Sequence, residues 1–76
     1  MSLKKEAMIK LWEVPNGSVI DVSHLDIALS TGESIKRMTF GKIDGAYGQC
    51  YIGEVKLENQ VMLFANTEVK LVKEEL

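Results

Sequence analysis

His24 is the only histidine in this 76-residue chain, and it stands with Asp21, Ser23 and Asp26 in a six-residue stretch. A serine, a histidine and a carboxylate can cooperate in nucleophilic catalysis when the carboxylate orients the imidazole and the imidazole takes the hydroxyl proton. Such groups usually come from distant parts of a chain, and neighbours at one strand end point apart. Asp21, Ser23, His24 and Asp26 therefore read as a solvated polar loop, and no catalytic residue is assigned. One imidazole and two carboxylates could hold a divalent ion weakly, but no supporting groups around them are identifiable, so neither a metal site nor a cofactor is assigned. Cys50, the single cysteine, excludes an intramolecular disulfide framework and leaves too few soft ligands for structural zinc. With no cation or helix N-terminus to place beside it, its thiol reads as an inert, small apolar group.

A binding surface has more support. Tyr47, Gln49 and Tyr51 alternate along one expected strand and so share a face, while Lys36, Arg37 and Lys42 are expected on its neighbour. Aromatics flanked by cations can hold single-stranded nucleic acid, with stacking worth about 1 to 3 kcal/mol per base. Similar aromatic surfaces accept extended or proline-rich peptides, and tyrosines half-buried in a small β fold can simply cover its core. Formal net charge is −2 and the pI about 5.3, which argues against a dominant phosphate-binding surface. A protein partner is expected, with single-stranded nucleic acid as the alternative and a small hydrolase built on His24 and Asp26 as a more distant one. Trp12 joins Tyr47 and Tyr51 as a contact residue wherever its ring is exposed.

The elements that must position these residues read as short strands. Lys5 to Val14 fits either a helical stripe or a strand, and the strand is preferred because Pro15-Asn16-Gly17 follows as a turn: proline presets φ at a corner and Asn-Gly tolerates positive φ after it. Val19, Ile20 and Val22 suit a pleated surface. Leu25 to Leu29 alternates as either a short strand or a loop packed by its apolar side chains. Ile35 to Ile43 reads as a strand whose buried face is ambiguous. Asp44-Gly45 then signals a type I′ hairpin, with Tyr47 to Ile52 folding back on Thr39 to Ile43. Val55 and Leu57 are expected as a short return, Val61 to Ala65 as a buried strand, and Val69, Leu71 and Val72 as the last strand. Gly41, Gly45, Gly48 and Gly53 are spaced for hairpins, bulges and bends, not for a phosphate-cradling loop.

So short a chain supports one domain, residues 1–76, with residues 1–4 read as disordered or as an added leader. Hydrophobic residues make up 46% and charged residues 26%, a balance that folds and is not that of a disordered segment. No stretch approaches the roughly 20 apolar residues that span a bilayer, no signal-peptide core is visible, and the chain reads as cytoplasmic. About five to seven closely spaced strands point to an all-β fold, a small antiparallel barrel or sandwich. Val14 to Ile20, Phe40 to Tyr51 and Thr67 to Val72 resemble segments of Src-homology-3-like barrels, in particular those of short proteins encoded by bacteriophages and prophages. The resemblance implies a barrel and a mobile-element origin, and brings no activity that transfers residue by residue. The reading is a non-enzymatic interaction or assembly module, for which a core this small makes homo-oligomerisation a reasonable support.

Overall fold

The computed structural model describes residues 8–72; the expected leader lies outside them. Six antiparallel strands form one sheet: β1 (Met8–Lys10), β2 (Val19–Asp21), β3 (Arg37–Asp44), β4 (Tyr47–Tyr51), β5 (Gln60–Phe64) and β6 (Glu68–Leu71), in the order β1-β6-β2-β3-β4-β5. The all-β antiparallel expectation holds. No helix longer than a single 3₁₀ turn occurs among the described residues.

The short link from β5 to β6 dictates the sheet's shape. Those strands are four places apart in the sheet, roughly 19 Å if it lay flat at about 4.8 Å per strand. The four chain steps from Phe64 to Glu68 reach only about 13 to 14 Å. The sheet must therefore curl. It does not close, because β1 and β5 share no ladder. Instead, the residues after β1 bridge the gap at one end: Leu11 N–H donates to the Thr67 carbonyl at 2.8 Å and Trp12 N–H to the Ala65 carbonyl at 3.2 Å.

That bridge explains why the first expected strand is cut short. Within Lys5 to Val14 only Met8–Lys10 is strand; Leu11–Glu13 turn as a 3₁₀ segment, and residues 5–7 lie outside the described part. Turning there drops Leu11 into the core, where it is fully buried against Gly48. A Cβ on Gly48 would overlap the Leu11 side chain and approach Phe40 Cε1 to 3.1 Å, so β4 accepts Leu11 only because it carries glycine there. The rest of the core is Val14, Ile20, Val22, Ile35, Met38, Phe40, Cys50 and Val69.

Two turns differ in detail from expectation. Ser18 N–H donates to the Pro15 carbonyl at 3.2 Å and Gly17 takes φ +89°, so the proline opens the turn one place before its first corner. In the β3–β4 hairpin Asp44 pairs with Tyr47, which puts Gly45 and Ala46 at the corners. Only Gly45 has positive φ, the pattern of a type II′ turn instead of type I′. Packing decides this register: it faces Gly48 and Cys50 inward, Cys50 opposite Phe40. A β-bulge between Phe40 and Lys42 resolves the ambiguous alternation of β3. Before the bulge Met38 and Phe40 point inward; after it the parity changes and Ile43 packs against the core.

Three other segments are corrected or decided. Leu25 to Leu29 is a loop: Ser23–Leu25 form a 3₁₀ turn, Leu25 and Ile27 pack on the core, and one isolated bridge joins Ala28 to Ser34. Val55 and Leu57 form no return strand; Leu57–Asn59 is a 3₁₀ turn and both side chains face solvent, 62% and 81% exposed. Val61 to Ala65 is not uniformly buried, because β5 lies at the sheet's edge: Val61 and Leu63 face the core, while Met62 and Phe64 face outward.

Candidate functional site

Pairing places the expected contact residues on the outer face of β3, β4 and β5. Directly opposed residues share a face, and the registers are Lys42 with Gln49, Asp44 with Tyr47, Tyr47 with Phe64, Gln49 with Met62, and Tyr51 with Gln60. Tyr47, Gln49, Tyr51 and Lys42 are thus brought together. Arg37 begins β3 beyond Tyr51, opposite Asp21 of β2. Lys36 precedes the strand, is exposed, and lies outside the registers that define this face. Trp12 is 55% exposed; its backbone is tied to Ala65, the residue after Phe64.

The face has a polar and an apolar end. At the polar end Gln60 Nε2 donates to the Tyr51 hydroxyl at 3.1 Å, that hydroxyl reaches Gln49 Oε1 at 3.5 Å, and Gln49 Nε2 donates to Asp44 Oδ2 at 3.1 Å. The row crosses three strands and holds half-buried Tyr51 in place. At the apolar end the Tyr47 and Phe64 rings stack, centroids 5.1 Å apart and planes 26° apart, a geometry worth about 0.5 to 1.5 kcal/mol. Tyr47, Met62 and Phe64 are 41%, 42% and 64% exposed. Together they form a contiguous exposed apolar cluster on the β4–β5 pair.

Sequence reading missed Met62 and Phe64, because a run of five apolar residues resembles a fully buried strand until its neighbours are known. The available signal is faint: aliphatic Val61 and Leu63 alternate with Met62 and Phe64, a period-two choice of shape without a change of polarity.

The polar cluster does not assemble as a catalytic relay. Ser23 Oγ donates to Asp21 Oδ1 at 2.7 Å, so hydroxyl and carboxylate bond directly without the imidazole between them. His24 Nε2 lies 2.8 Å from the Glu68 carbonyl oxygen, which as an acceptor requires Nε2 to carry the proton. His24 thereby ties the first residue of β6 to the loop after β2. Asp26 caps this turn in the left-handed conformation, φ +57°. Hydrogen bonds from Ser23, backbone first and then hydroxyl, lower the Asp21 pKa, with Lys70 and Arg37 adding to it. Burial pushes the Cys50 thiol up to about 11, which keeps it protonated and unreactive near neutrality. Among the described residues no three His, Cys, Asp or Glu side chains are grouped to hold a metal, and no helix is long and apolar enough to cross a membrane.

The chain matches no protein-family model, no curated protein and no solved structure. Its surface is the remaining guide to function.

Proposed function

We propose that this chain is a non-enzymatic interaction and assembly module, of the kind formed by the small phage and prophage barrels it resembles, working in the cytoplasm. It engages protein through the outer face of β4 and β5. The observation that carries this reading is the contiguous exposure of Tyr47, Met62 and Phe64 on the outermost strand pair, in a fold with nine buried hydrophobic residues among those described. Leaving such groups in water forgoes burial worth roughly 1.5 to 3 kcal/mol per large side chain, a loss that docking recovers.

The surface suits protein better than nucleic acid. Of the three cations expected beside the tyrosines, Lys42 alone stands in the middle of the face, and Asp44 stands next to it. Tyr51 is engaged by two glutamines and Tyr47 is stacked on Phe64, so neither ring stands free to intercalate between bases.

Site-specific photo-crosslinking tests the reading. A benzophenone side chain at position 64 is expected to capture protein in cells, while the same group at position 36, off the face, is not. Nuclease-sensitive adducts at position 64 would move the assignment to nucleic acid. No adduct at all would remove the face from consideration.

A further inference from the structure

We infer that β5 pairs antiparallel with β5 of a second copy about a two-fold axis at Met62, joining two curled sheets into one. This rests on the interaction reading above and names its occupant.

The alternation of an antiparallel ladder determines which backbone groups of β5 remain open. Ile52 N–H donates to the Asn59 carbonyl at 3.0 Å, and Ala65 N–H to the Ala46 carbonyl at 2.8 Å. These contacts are in phase with the pairs Cys50–Val61 and Gly48–Leu63, so Val61 and Leu63 direct their backbone groups at β4. Gln60, Met62 and Phe64 direct theirs away from it, and of these the Gln60 N–H is already held by the Leu57 carbonyl. Among the described residues, β5 has no neighbour on that side. The Phe64 carbonyl accepts from Thr67 N–H at 2.9 Å, leaving one lone pair. The same three residues turn their side chains to the outer face, so open backbone and exposed apolar surface coincide.

A second β5 centred on Met62 pairs every N–H and carbonyl that is still open there. The two Met62 residues exchange N–H and C=O. Phe64 N–H donates to the Gln60 carbonyl of the other copy. Moving the axis to residue 61 strands Phe64, and moving it to residue 63 strands Gln60. Gln60–Phe64 contains no charged residue, so two copies meet there without like-charge opposition although each chain carries a net −2. Edge strands that must stay single are usually guarded by Lys, Pro, a bulge or shortness; β5 has none of these. Closed two-fold pairs are the commonest assemblies, and a chain of this size benefits from the added burial.

Sedimentation equilibrium on the wild-type chain is expected to show mass rising from 8.5 kDa to twice that as concentration increases. Met62→Pro removes an N–H that points away from β4 and so spares the ladder, and Met62→Lys opposes two cations across the axis. Each is expected to raise the dimer dissociation constant at least tenfold while circular dichroism remains that of the folded chain. Met62→Cys is expected to give a disulfide-linked dimer with diamide, since a hydrogen-bonded pair places the Cα atoms about 5.5 Å apart, within disulfide reach; Leu57→Cys is the control. A wild-type chain that stays monomeric, or a dimer indifferent to folded Met62→Lys, overturns the inference. Protein adducts at position 64 on a monomeric chain would overturn it while sparing the proposed function, and would assign the edge to a foreign strand.

Discussion

The two edges of the sheet are built on opposite principles. β1 has three residues, ends in Lys10 with its ammonium 3.5 Å from Glu68 of β6, and passes at once into a 3₁₀ turn whose Leu11 is sealed in the core. His24 adds a bond to the Glu68 carbonyl, and Asp21 with Ser23 fixes the turn after β2. β5 is uncharged and presents Met62 and Phe64 to solvent. Charge and a buried anchor at its end stop β1 from recruiting another strand. β5 carries no charged residue to do the same at the other edge.

The largest effect should come from removing the anchor. Leu11→Ala empties a fully buried site in the gap between β1 and β5 and is expected to cost about 2 to 5 kcal/mol. Leu57→Ala, on a side chain 81% exposed, should change stability by no more than about 0.5 kcal/mol. Chemical denaturation of both variants measures the contrast, and equal losses would break it. Gly48→Ala approaches the same contact from β4. The added methyl meets Leu11 and Phe40, and overpacking of this kind costs about 1 to 3 kcal/mol. Combining Gly48→Ala with Leu11→Ala should restore part of the loss, since the truncated side chain leaves the room the methyl needs.

The difference between the edges was only half legible in the sequence. Turn residues declared themselves: Gly17 and Gly45 take the positive φ that Asn-Gly and Asp-Gly led one to expect, because such backbone needs are local. Strand existence for β2, β3, β4 and β6 followed from β-branched and alternating residues for the same reason. What stayed hidden depended on neighbours. The bulge at Gly41 inverts the parity of β3, so no single alternation fits it. Val61 to Ala65 reads as buried until the order of strands makes β5 an edge, and Lys36 reads together with Lys42 until the start of β3 excludes it. The tyrosine face was anticipated as a strip of residues; its apolar half was not, because Phe64 joins Tyr47 only through pairing.

The inner side of β4 sharpens the comparison at high pH. Cys50 lies behind the exposed face, fully buried, with its thiol raised from an ordinary 9.0 to about 11 by desolvation. A raised acid contributes stability below its unfolded value and loses it as pH climbs toward its folded value. Wild-type stability should therefore fall between about pH 9 and 11 by on the order of 2 kcal/mol more than that of Cys50→Ala. Ellman's reagent at pH 8 should label the native thiol far more slowly than the denatured one. Rapid native labelling would mean that the β4–β5 half opens inward as well as outward.

The smallest effect tests whether charge contributes anything at the guarded side. Asp21 accepts the backbone N–H of Ser23 at 3.0 Å and its hydroxyl at 2.7 Å through one carboxylate oxygen, and these bonds lower its pKa. Asp21→Asn keeps an oxygen acceptor in place and removes the charge. A depressed carboxylate stabilises the fold above its unfolded value of about 3.8 and ceases to do so as pH falls through the folded value. The wild type should hence exceed Asp21→Asn by at most about 0.5 kcal/mol at pH 7, with the gap closing in acid well below that unfolded value. Denaturant titrations at the two pH values decide it. A gap that persists in acid would assign Asp21 to turn geometry alone, leaving the buried Leu11 as the feature that separates a sealed edge from an available one.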